Sequence, residues 1–180
     1  MLRLTIPSAE LWDEKKQEFV YIKGQTLSLE HSLVSISKWE AKWETSFIAK
    51  KSLSLEETID YIKCMTLTQN VDPIVYTLLN DEHIEAVRRY IDAPMTATTF
   101  SKDPNSKPNR EIITSEIIYY WMIAFNIPVK FEKWHINRLL TLIRICDIKN
   151  SPPKKMSKKE IMSRNASLNE ARKKQYNTKG

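Results

Sequence analysis

Glu132 and His135 are the pair whose types and spacing could hold a metal. Three apart on a helix, a carboxylate and an imidazole share one face, and Glu-x-x-His is half the ligand set of a helical di-iron site. The other half requires a second Glu-x-x-His and two more glutamates on facing helices. His31 follows Glu30 and His83 follows Glu82, and neither has that spacing. The pair is therefore expected to be a helix-surface pair or to involve a hydrogen-bonded core histidine. No GxSxG, HExxH, SxxK or EF-hand signature is read in the chain. Neither catalytic residues nor a cofactor or metal site are expected, so the chain reads as a binding protein and not an enzyme.

Composition narrows the classes further. The chain has 180 residues but only two glycines, Gly24 and Gly180. Phosphate-cradling loops need glycine for close backbone approach, so P-loop and dinucleotide-binding folds are excluded. Cys64 and Cys146 form no CxxC and sit in apolar runs, which predicts reduced core residues and an intracellular setting. The longest apolar run, Ile117 to Phe125, is far short of the roughly 20 residues of a membrane span, and the N-terminus has no long apolar leader segment. A soluble, unsecreted protein without membrane contact is expected.

The elements that must position any site are read from periodicity. Leu2, Leu4 and Ile6, then Phe19 to Ile22, then Leu27 and Leu29, predict two or three short strands with turns at 13–16 and Gly24-Gln25. From Leu33 the period becomes helical, through Ile36, Trp39 and Trp43. Ser54 and Glu57 have capping-box spacing before the stripe Ile59, Ile62, Met65. Asp72-Pro73 starts a short helix to Leu79, and another runs from Asp81 to Ile91 before Pro94. The polar segment 101–110 is expected to be an exposed loop. A helix from Glu111 to Asn126 is apolar on nearly every face from Ile117 onward, which predicts the central buried helix. Lys130 to Ile148 should follow as its hairpin partner. The fold class is mainly α with a small N-terminal antiparallel β element (α+β), a body over 1–150 and an appendage over 151–180.

That appendage carries the excess charge. Residues 151–180 hold nine Lys/Arg against two acids, whereas 1–150 hold nineteen against twenty. Pro152-Pro153 forms a stiff spacer. Ser157 and Glu160 have capping-box spacing, and Met156 and Ile161 have the staple positions, so a basic helix over about 158–175 is specified. Its apolar stripe is thin, which suits docking on a partner. Met156, Lys158, Lys159, Ile161, Arg164, Leu168, Arg172 and Lys173 are the candidate partner-binding residues. The same lysines and arginines would serve phosphate contacts, the nucleic-acid alternative.

The runs SEIIYYWMIAFNIPVKFEKWHINRLLTLIRICDIKN (115–150) and KKMSKKEIMSRNASLNEARKKQYNTKG (154–180) resemble the tail assembly chaperone family of tailed phages and prophages. TLSLEHSLVSISKWEAKWE (26–44), YIKCMTLTQNVDP (61–73) and YIDAPMTATTF (90–100) resemble the same family, so the likeness spans nearly the whole chain. The resemblance implies a non-enzymatic protein of the host cytoplasm that binds the long, helical tape measure protein during tail assembly, with self-association or other tail proteins as further partners. It carries over no catalytic residue. A structural tail or neck protein of the virion is the alternative that shares these features.

Overall fold

The computed structural model describes residues 1–14, 17–100, 111–151 and 158–177. The fold is mainly helical with a small antiparallel β element at the N-terminus. It comprises two compact units, Met1–Asp147 and Ile148–Gly180.

The β element has four strands, one more than the alternation suggests. β1 (Leu2–Ile6) pairs antiparallel with β4 (Gln25–Leu29), and β2 (Ala9–Asp13) pairs with β3 (Glu18–Ile22). The second hairpin is thus nested within the first pair. Leu4, Ile6, Leu27 and Leu29 point inward and are buried, as period-two alternation requires. Gly24 lies where the strands leave no room: an added Cβ would stand 2.7 Å from Ser8 N.

Helix α1 (Leu33–Trp43) is the hub, packing against α2 (Leu55–Met65) and α4 (Ser115–Ala124). Leu33, Ile36 and Trp39 are fully buried on its inner face. Its buried Glu40 ties distant segments together: one carboxylate oxygen accepts from Phe47 N at 2.9 Å and the other from Ser115 N at 2.7 Å. Helix α2 starts as its sequence specifies. Ser54 Oγ accepts from Glu57 N, and Glu57 Oε2 accepts from Ser54 N at 2.8 Å. The end of α2 is fastened to β4 by Glu30 N donating to Met65 O and Leu67 N donating to Ser28 O. The Asp72-Pro73 segment starts a short helix as expected, a 3-10 helix over Pro73–Leu78 with Asp72 Oδ1 accepting from Ile74 N. Helix α3 (Asp81–Asp92) buries Ile84, Val87 and Tyr90 and ends before Pro94.

Two expectations fail in the second half of the body. Helix α4 is shorter than predicted and is not buried all round. Ser115, Ile118 and Met122 face the core, while Tyr120 and Ile123 are 66% and 73% exposed. The helix stops where Asn126 takes a left-handed conformation (φ 53°), which Asn tolerates, and Ile127 N returns to Met122 O. The predicted single helix from Lys130 to Ile148 is broken. A 3-10 turn, Val129–Lys133, precedes an extended Trp134-His135, and α5 (Ile136–Asn150) starts afterwards. The cause is tertiary: His135 bridges to Ser32, and Ile136 N donates to His31 O at 2.8 Å. The cysteines are half-buried at the edge of the core and both are free.

In the second unit, α6 (Lys158–Tyr176) forms one residue longer than expected. Met156, Ser157 and the Pro152-Pro153 spacer, and with them the staple and the capping box, lie outside the described residues.

Candidate functional site

The metal-like pair does not assemble. With the helix broken at Trp134-His135, Glu132 and His135 share no helical face. Glu132 accepts from the Tyr119 hydroxyl at 2.9 Å, and His135 Nε2 bonds to Tyr90 O at 3.0 Å. Among the described residues no three His, Cys, Asp or Glu side chains gather as metal ligands. His83 is spent on capping: its Nδ1 accepts from Asn80 N at 3.3 Å, and its own N–H donates to Asn80 Oδ1. Ser35 and Lys38 do have the SxxK spacing of serine nucleophiles, contrary to the sequence reading, but the Ser35 hydroxyl is turned inward and donates to Glu30 O at 2.8 Å.

His135 belongs instead to a buried polar cluster. The His31 and His135 rings meet edge to face, with 5.0 Å between centroids. His31 Nδ1 and the Tyr61 hydroxyl share a hydrogen bond of 2.5 Å. The Tyr90 hydroxyl donates to Glu30, whose other oxygen pairs with the N-terminal ammonium at 3.1 Å. Burial, aided by repulsion from His135, lowers the His31 pKa to about 3. Burial also lowers that of His135 against the opposing Tyr90 carbonyl. Burial raises Tyr61 well above the ordinary phenol value. The cluster clamps β4, α2, α3 and the start of α5 together, and its imidazoles are held neutral.

No family model, curated protein or solved structure matches this chain. Its surface therefore carries the functional argument, and apolar side chains stand out there. Trp121 and Phe125 of α4 and Leu140, Ile143, Arg144 and Asp147 of α5 line a groove of about 340 Å³. Arg144 stacks on Phe100 at 4.1 Å beside it. Tyr120 and Ile123 continue this apolar surface around α4, with exposed Ala124 between them and the groove side. A larger cleft of about 390 Å³ is lined by Phe47, Lys50, Leu53, Val87, Arg88 and Ile91. Lys50 there is engaged by Glu57.

The sequence-predicted binding residues lie on α6. Lys158, Ile161, Arg164, Leu168 and Arg172 recur at helical spacing and share one face, whereas Lys159 and Lys173 turn away from it. All seven are exposed, with Ile161 at 44% and Leu168 at 45%. Met156 lies outside the described residues. Sequence reasoning missed the outward face of α4 and the aromatic face of the β2–β3 hairpin. The run Tyr119-Tyr120-Trp121-Met122-Ile123 signals apolar content all round, but that pattern alone suits a covered helix as well as one awaiting a partner. Among the described residues no helix is long and apolar enough to cross a membrane.

Proposed function

We propose that this protein is a non-enzymatic tail assembly chaperone that binds the tape measure protein in the host cytoplasm during phage tail assembly. The observation that carries this reading is the outward face of α4. A helix apolar on nearly every side leaves Tyr120 and Ile123 in solvent, next to a groove walled by Trp121, Phe125, Leu140 and Ile143. Apolar surface beside a groove of this kind is where protein partners dock when it is covered. An apolar helical client would lay its own stripe along this surface, as in helix-in-groove recognition. The resemblance of 115–150 and 154–180 to phage tail chaperones points to the same client.

Helix α6 supplies the second contact in this proposal. Ile161 and Leu168 offer a narrow apolar seam, and Lys158, Arg164 and Arg172 flank it. Such a basic face speeds encounter with an acidic client segment. Co-expression with the tape measure protein of the same phage genome tests the division of labour. Ile161→Asp with Leu168→Asp should reduce co-purification without abolishing it. Unchanged co-purification would remove α6 from the binding site.

The exposed basic residues of α6 favour one alternative, a nucleic-acid clamp within a structural tail or neck protein. A filter-binding titration of duplex DNA against salt separates the two. A steep salt slope supports the clamp, and absence of binding at low salt rejects it.

A further inference from the structure

The groove between α4 and α5 is apolar along most of its length and carries a cation at one end. Its lining residues recur at helical spacing, Trp121 and Phe125 on α4, then Leu140, Ile143, Arg144 and Asp147 on α5. Both walls are therefore helix ridges, the surface into which a third helix packs. At about 340 Å³ the groove has room for anchoring side chains and not for a helix backbone, so a helical occupant rides on the rim.

Arg144 is the one cation lining this groove among the described residues. Its guanidinium carbon stands over the Phe100 ring, 4.1 Å from the centroid. That contact takes up the face of the guanidinium and leaves the N–H donors at its edge for a planar acceptor such as a carboxylate. No acid pairs with Arg144 among the described residues. Asp147, the other charge on this wall, already has an interaction of its own.

The spacing fixes where an acid on the occupant must stand. Leu140 and Arg144 are one helical turn apart, about 5.4 Å. An apolar side chain seated beside Leu140 and a carboxylate that reaches Arg144 lie about one turn apart on the occupant too. The same cation disfavours the basic α6 of a second copy, which holds six Lys/Arg against two acids. A single cation beside an apolar floor gives a nucleic acid little to hold.

We propose that this groove selects a client helix with an Asp or Glu three or four residues from a large apolar anchor. The anchor fills the groove and the carboxylate pairs with Arg144. The inference rests on the chaperone reading of the α4 face and names the client segment that face takes. Arg144 is exposed, so the pair contributes selectivity more than affinity, up to about fivefold in Kd.

Overlapping peptides of about 20 residues, long enough for several helical turns, from the tape measure protein of the same phage genome provide the test. The full chain should bind peptides that share an apolar residue with Asp or Glu three or four positions away. Replacing that acid by Lys should weaken binding by about fivefold. Arg144→Glu should reverse the preference and favour the lysine peptide, an exchange that a merely structural role would not produce. Arg144→Met keeps a stem against Phe100 without the charge and should bind the two peptides alike. These substitutions are at an exposed position, so unchanged circular dichroism is the folding control. Bound peptides without an acid at that spacing, or an Arg144→Glu chain that keeps the original preference, would overturn the proposal and leave the α4 face standing as the client site. Absence of any bound peptide, or peptides held equally well by the Tyr120→Asp, Ile123→Asp chain, would overturn the α4 reading and this inference with it.

Discussion

His31 and His135 lie ring against ring, 5.0 Å apart, at the junction of β4, α1 and α5. Both are buried, and both have pKa values lowered chiefly by that burial. Their neighbours are Tyr61, Tyr90, Glu30 and the N-terminal ammonium. Below an unfolded pKa of about 6.5 the unfolded chain takes up a proton at His31, which the folded chain, titrating at about 3, does not. Stability is therefore complete above pH 6.5 and falls as pH drops. The slope from His31 alone is about 1.4 kcal/mol per pH unit. Urea denaturation between pH 6.5 and 5, above the ordinary carboxylate range, should show this loss. His31→Phe should flatten the slope by about one proton, although it lowers stability at neutral pH by leaving Tyr61 without its partner. A pH-independent midpoint in that window would contradict neutral, buried histidines.

Glu40 is the second internal tie. Its carboxylate satisfies both Phe47 N and Ser115 N, so Glu40→Ala strands one buried and one half-buried donor. Each stranded donor costs about 1–3 kcal/mol. The expected loss in chemical denaturation is about 3 kcal/mol or more, and Glu40→Gln, which keeps one acceptor, should lose distinctly less.

The α2 cap is a smaller and purely local term. Ser54→Ala removes the acceptor for Glu57 N while the apolar stripe of the helix stays in place. Thermal or urea unfolding should show a loss of about 1 kcal/mol.

These cases show what the sequence could and could not express. The Ser54–Glu57 box was legible because every participant lies within one turn. The alternation of Leu2, Leu4 and Ile6 was legible for the same reason. The break at Trp134-His135 was not, because its cause is Ser32 and His31 in a distant part of the chain. The strand Ala9–Asp13 was hidden because its apolar residues, Leu11 and Trp12, are adjacent, one facing the core and one facing solvent. Alternation tells which residues share a face but not which face is covered. The same gap concealed Tyr120 and Ile123: apolar periodicity around α4 predicts burial, and only the placement of α1 decides which half is buried.

The outward residues of α4 should be nearly neutral for folding. Tyr120→Asp and Ile123→Asp replace side chains that are 66% and 73% exposed, so each should change stability by no more than about 0.5 kcal/mol. A loss of several kcal/mol would mean that these residues are structural and not free for a partner.

The most direct test of the chaperone reading is the soluble fraction of the tape measure protein when it is co-expressed with this chain. The original chain should keep the client soluble and co-purify with it. The Tyr120→Asp, Ile123→Asp double variant should fold with unchanged circular dichroism, lose the client from the complex and leave it in the insoluble fraction. A folded double variant that holds the client as well as the original chain would contradict the assignment of binding to α4.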